Sequence, residues 1–273
     1  MRESILIYRN HLYLKLAALV SLVATTAYVW HTPFERPNGG TWLGYTLGVV
    51  AGGLMIWLAW FGVRKRKYGI GKLRLEDWLS AHVYMGLALA IVATLHAGFQ
   101  LNWNVHSALY VLMMIVIISG IVGVYFYIRF PIMLTENRRG MTAEVMLTQI
   151  TDLDREIRQL AMGLDDATNA AVLKASQETI VGTTLFSQLR GFDEDCETTQ
   201  ARRFVEDSEG SGESTSRRQL LTRLVRKEEL LKRIRRDVQL RCLLKTWLIC
   251  HVPFSVAALM ALAVHVVTVF YYW

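Results

Sequence analysis

WLSAHVYMGLALAIVATLHAGF, Trp78–Phe99, and CHVPFSVAALMALAVHVVTVFYYW, Cys250–Trp273, decide how the chain is read. Both are apolar for about 20 residues, the length of helix that crosses a hydrocarbon layer roughly 30 Å thick. Both also carry two histidines 14 residues apart, His82 and His96 in the first, His251 and His265 in the second. At about 100° per residue that spacing falls roughly 40° short of four full turns, so each pair shares one helix face with a rise of about 21 Å between its members. Ionisable side chains inside a bilayer are costly, and four of them at two matched depths define a functional hypothesis by default.

Three further apolar runs accompany these: Leu14–Trp30, Trp42–Val63 and Ala108–Tyr127, which with Trp78–Phe99 and Trp247–Tyr271 make five candidate spans. Most begin or end in Trp or Tyr, the side chains that anchor at a membrane interface. The composition agrees, since 53% of the 273 residues are hydrophobic and only 19% charged, too apolar for an ordinary soluble enzyme. Arg9 and Lys15 ahead of the first run resemble the start of a signal peptide, but the run is read as a retained span. Cys196, Cys242 and Cys250 are far apart and form no CxxC or CxxCH. That spacing excludes covalent haem attachment, cysteine-ligated iron–sulfur clusters, zinc fingers and a disulfide framework.

Short-loop charge gives the orientation. Arg64, Lys65, Arg66, Lys67, Lys72 and Arg74 crowd the connection after the second run, whereas Gln100–Ser107 has no Lys or Arg and the loop before Trp42 has only Arg36. By the positive-inside rule the N-terminus is cytoplasmic, the C-terminus is outside, and Pro131–Lys245 remains inside. That stretch balances its basic and acidic residues, so the chain's net charge of +7 gives no support to a nucleic-acid role. Ile150, Leu153, Ile157, Leu160 and Leu164 mark one amphipathic helix, and Leu224, Leu231, Ile234 and Val238 a second. Gly191–Ser216, acidic and including Gly210-Ser211-Gly212, reads as a mobile loop between them. Such a hairpin serves either to pack on itself or to dock a cytoplasmic subunit. The expected fold class is all-α: an integral plasma (inner) membrane bundle of five transmembrane helices with a cytoplasmic helical-hairpin insert. Its divisions are residues 1–130, 131–244 and 245–273.

Spans three and five run in the same direction, so His82 is level with His251 and His96 with His265. Two neutral imidazoles on opposing helices are what bis-histidine haem ligation needs, each giving one nitrogen along the axis perpendicular to the macrocycle. A proton relay would not need a second histidine at each depth. Copper or another bare ion also accepts paired imidazoles. Gly86, Ala93, Ser255 and Ala258 lie on the histidine faces and leave room for a flat group. Leu89 and Leu262 on the same faces are bulky, and small residues also mark ordinary helix contacts in membranes.

The two quoted segments, with their paired H-x13-H pattern, resemble the haem helices of di-haem cytochrome b proteins. That group includes the membrane domains of ferric reductases and NADPH oxidases and the cytochrome b of respiratory complexes. The resemblance covers about a quarter of the chain and implies two b-type haems with His82, His251, His96 and His265 as axial ligands. This chain departs from the oxidase group in two ways. About 115 residues separate the haem helices, and no flavin or nicotinamide domain follows, since Gly69-Ile-Gly71 and Gly210-Ser211-Gly212 lack a third glycine and a βαβ setting. The expected function is electron transfer across the membrane as a subunit of an oxidoreductase complex. Its expected partners are a cytoplasmic or membrane donor, a periplasmic c-type cytochrome and, at either haem, a quinone. The alternatives are a reductase acting directly on oxygen, ferric iron or quinone, with Asn102, Asn104 and His106 bordering its outer site, and a non-redox scaffold. Lys72 and Arg74 are candidate partners for haem propionates.

Overall fold

A computed structural model describes residues 7–33, 38–66, 75–101, 104–179, 184–191, 195–208 and 215–271. The regular elements among the described residues are all helices: α1 Tyr8–Trp30, α2 Trp42–Arg66, α3 Leu75–Ala97, α4 Val105–Arg138, α5 Ala143–Ala161, α6 Asp166–Glu178, α7 Leu185–Arg190, α8 Glu197–Asp207 and α9 Thr215–Tyr271. Arg36, Lys67, Gly69, Gly71, Lys72, Arg74, Asn102 and Gly210-Ser211-Gly212 lie outside the described residues. Contacts divide the chain into two units, Met1–Tyr125 with Trp247–Trp273, and Phe126–Thr246.

In the first unit α3 packs against both α1 and α2. Its core joins Leu47, Ala51 and Leu58 of α2, Leu89, Val92 and Ala93 of α3, Met113 of α4 and Ala258 of α9. The outward faces are equally apolar, with Leu22, Val49, Ile56, Ile118, Met260 and Val267 all exposed. A helix hydrophobic on every side belongs in a large core or in lipid, and exposed apolar surface on this scale would drive aggregation in water. Helical stretches long and apolar enough to cross a bilayer occur at Arg9–Trp30, Trp42–Arg64 and Glu76–Ala97 and within Val105–Ala161 and Thr215–Tyr271. Asp77 is buried here, with Arg9 Nε at 3.4 Å and the Tyr13 hydroxyl donating to it at 3.5 Å.

Two helices run further than composition suggests. The fourth apolar run was expected to end at Tyr127, yet α4 continues through Pro131 to Arg138. A proline costs a helix one hydrogen bond and crowds one carbonyl, but flanking turns and a two-pronged Arg138–Asp237 pair at 2.6 and 3.0 Å hold the far end. The Asp237 hydrogen bond raises the Arg138 pKa further. Similarly, the second amphipathic helix and the last apolar run are one 57-residue helix, α9. Composition changes sharply along it, but it contains no glycine and only Pro253.

The second unit has its own core, made by Met146, Leu153 and Ile157 of α5, Val172 of α6, Val205 of α8 and Leu220, Leu224, Leu230 and Ile234 of α9. Both amphipathic stripes read from the sequence face inward, with Ile150, Leu160, Leu164 and Val238 half-buried at the edges. The expected hairpin and mobile loop need correction. Within Gly191–Ser216 the chain forms α8, whose Thr198, Thr199, Ala201 and Val205 are buried, and α6 and α7 precede it. Small and hydroxylated residues make that inward face, so hydrophobic periodicity is faint although the helix is packed. Local caps define the starts: Thr142 accepts from the Val145 N–H at 3.2 Å, Asp165 from that of Thr168 at 3.0 Å, and Thr184 and Ser187 form a capping box. Each satisfies donors left open by the first helical turn.

Charges are buried in this unit too. Glu228 is almost covered, and Arg202 and Lys232 approach it at 2.7 and 2.8 Å. Burial works against its charge, but the two cations outweigh that and hold its pKa below the usual 4.5. A depressed folded pKa contributes stability that is complete above the unfolded value and lost as pH falls through the folded one. Glu228→Gln is therefore expected to be less stable than the parent at neutral pH, with the gap closing on acidification below 4.5. Urea unfolding of the full chain in detergent across that range measures it, and a gap that stays constant would disprove the assignment.

Candidate functional site

Helix α3 carries His82 and His96, and α9 carries His251 and His265. The geometry is clearest at the His96 level. The His96 and His265 ring centroids lie 6.1 Å apart with planes at 84°. Two imidazole nitrogens on opposite sides of a metal, each at about 2 Å, put their ring centroids roughly 6 Å apart. His96 Nδ1 bonds the Gly44 carbonyl at 2.8 Å. A carbonyl only accepts, so Nδ1 carries the proton and Nε2 keeps its lone pair in the neutral ring. His265 Nδ1 is 2.6 Å from Nδ1 of His106, whose ring stands perpendicular to it at 4.6 Å.

Helix α2 makes room for this arrangement. A Cβ built on Gly48 would lie 2.7 Å from His96 Cε1, and one on Gly39 3.2 Å from it. Glycine at 48 therefore lets the ring rest against the α2 backbone and reach the carbonyl one turn earlier. The sequence marks neither Gly44 nor Gly48 as a site residue, and it places His106 only in the polar outer loop beside an alternative reductase site, not beside His265. The available signal was the run Gly44, Gly48, Gly52 at one-turn spacing, a pattern that lets helices approach closely in membranes.

At the other level, His251 Nδ1 pairs with Ser119 Oγ at 2.7 Å, and Ser119 Oγ also lies 2.9 Å from the Val116 carbonyl. With the single hydroxyl proton directed to that carbonyl, Ser119 accepts from His251 Nδ1, again leaving Nε2 free. Trp247 stacks on His251 at 5.2 Å and 26° and donates its indole N–H to the Ser119 carbonyl at 2.8 Å. Gly123 permits this, because a Cβ there would lie 2.1 Å from Trp247 Cζ2. His82 sits beside Phe61 with ring centroids 5.0 Å apart, and its Nδ1 is buried without a hydrogen bond. His251 is close enough to interact with it electrostatically.

The four small residues divide into different roles. Gly86 borders free space, with nothing within 4 Å of a Cβ built on it. Ala93 and Ala258 are packed in the core cluster together with Leu89 and Leu262, so the two leucines fill the layer between the histidine levels. Ser255 Oγ donates to the His251 carbonyl of its own helix at 2.8 Å. Among the described residues no group of three or more His, Cys, Asp or Glu is placed to hold a metal ion. Bare ions at such sites generally ask for three or four protein ligands. Paired imidazoles instead suit a metal whose equatorial positions are already filled. No protein-family model, no curated protein and no solved structure matches this chain.

Proposed function

We propose that this chain is the di-haem cytochrome b subunit of a membrane redox complex, carrying electrons between the two faces of a plasma membrane. The observation that carries the reading is the His96–His265 pair, with centroids 6.1 Å apart and Nδ1 of each ring engaged, by the Gly44 carbonyl and by His106. That combination of ligand spacing and outer hydrogen bonds is the one metal-bound histidines generally show. His82 and His251 would hold the second haem, and the free space beside Gly86 and the buried Nδ1 of His82 fit a group seated there. Haem supplies reversible one-electron iron chemistry when bound.

The chain's own residues supply the rest. Four imidazoles orient the cofactors, Leu89 and Leu262 exclude water from the layer between, and α2 braces His96. In this reading five helices cross the bilayer, the N-terminus and Pro131–Lys245 are cytoplasmic, and the C-terminus is outside, following the Lys and Arg bias of the short loops. Electrons would enter from a cytoplasmic or membrane donor and leave to a periplasmic c-type cytochrome, with quinone able to replace either partner. Moving one across the whole membrane is coupled to the potential by about 2.3 kcal/mol per 100 mV.

A reduced-minus-oxidised spectrum with haem quantitation on the purified full chain tests this. Two b-type haems per chain are expected, and their absence would refute the reading. Two substitutions refine it. Gly48→Ala should displace His96 and lower haem content at that level alone, since the intruding Cβ meets a ring held by backbone. Gly86→Phe should fill the open space and lower haem at the His82 level, while membrane insertion persists because added apolar bulk suits lipid. Unchanged haem content in both variants would show that the two glycines serve packing only.

A further inference from the structure

We infer that His106 is a positioning residue for His265, accepting its Nδ1 proton and so tuning the haem at the His96–His265 level; the inference rests on the haem reading above. The Nδ1–Nδ1 separation of 2.6 Å means that one ring donates and the other accepts. His106 opens α4 and is exposed, whereas His265 is half-buried. With His265 as donor, His106 carries its own proton on Nε2, at the exposed ring where water satisfies it. The opposite assignment would put the His265 proton on Nε2 of the half-buried ring, where water meets a donor less readily than at the exposed ring of His106. The first arrangement also leaves the His265 Nε2 lone pair available for iron.

The acceptors at the other histidines differ in kind. His96 has a main-chain carbonyl and His251 a serine hydroxyl, while His82 Nδ1 has none. An imidazole nitrogen is a stronger base than either oxygen, so it draws more strongly on the ligand's N–H and makes the ligand a better electron donor. A better donor favours ferric over ferrous iron and lowers the reduction potential at that level. His106 reaches His265 from a different helix, across 159 positions of sequence, so it also fixes the plane of the ring.

Redox titration of the full chain, with electron paramagnetic resonance of its oxidised form, reads this directly. In His106→Ala one of the two haem potentials should rise and its low-field signal shift, while the other is unchanged. Haem affinity at that level should fall by about 10–100-fold, the usual loss when a ligand's hydrogen-bond partner is removed. His106→Glu restores an acceptor and should return the potential to or below the parent value. Parental potentials and signals in His106→Ala would overturn the inference, as would equal upward shifts in the Ala and Glu variants, which would mark a packing effect. A parent chain that binds no haem would instead sink the underlying reading together with this one.

Discussion

Replacing His82 or His251 with alanine is expected, on the proposed di-haem reading, to cut bound haem by about half, removing the haem at that level and sparing the other, because each haem would depend on a pair of imidazoles. His96→Ala and His265→Ala should remove the complementary half. Pairwise combinations give the sharper result. His82→Ala with His251→Ala should lose little more than either alone, since the two changes destroy one site, whereas His82→Ala with His96→Ala should lose nearly all haem. Independent sites add and shared sites do not. Haem quantitation by pyridine haemochrome, with spectra separating the two components, measures the series. If His82→Ala and His265→Ala deplete the same haem while the other persists, the pairing by level is wrong.

Lys227→Ala is expected to cost about 3–5 kcal/mol, the usual penalty for stranding the partner of a buried ion pair. Lys227 is 1% exposed, among the apolar residues of the second unit. Its ammonium lies 2.7 Å from Asp154 Oδ1 and donates to the Ala175 carbonyl at 3.0 Å. The Asp154 contact is one of charge without hydrogen-bond geometry. The Ala175 contact meets a carbonyl in the last turn of α6, where cations are favoured. The double variant Lys227→Met with Asp154→Leu should recover most of the loss, because replacing a buried pair by apolar groups of similar size is often neutral. Chemical denaturation of the full chain provides the cycle, and a single-variant loss below about 1 kcal/mol would show a solvated pair of the surface kind.

The same residue shows what sequence reading recovers and where it stops. The apolar runs and the two amphipathic stripes were legible because burial there is achieved by large aliphatic side chains at helical spacing. The α9 stripe read Leu224, then Leu231, Ile234 and Val238, with a gap where a turn should have contributed. Lys227 and Glu228 fill that gap and are buried, so a polar pair occupies positions that hydrophobic periodicity leaves blank. In α8 the inward residues are Thr198, Thr199, Ala201 and Val205, too small or too polar to stand out from an acidic background. The four histidines were visible through spacing within each helix. His106 was visible only as part of a polar outer loop; its pairing with His265 depends on which helices are neighbours, and one-dimensional spacing carries no such information.

The acceptor for His96 is a main-chain atom. In a regular helix the Gly44 carbonyl already receives the Gly48 N–H, and its second lone pair serves the imidazole. No substitution at position 44 deletes that oxygen. A mutational scan of α2 would therefore register damage at Gly48, where bulk intrudes, and would classify the region as a packing motif. Its electrostatic contribution would pass unseen, since the genetic code can alter every side chain of α2 and none of its carbonyls.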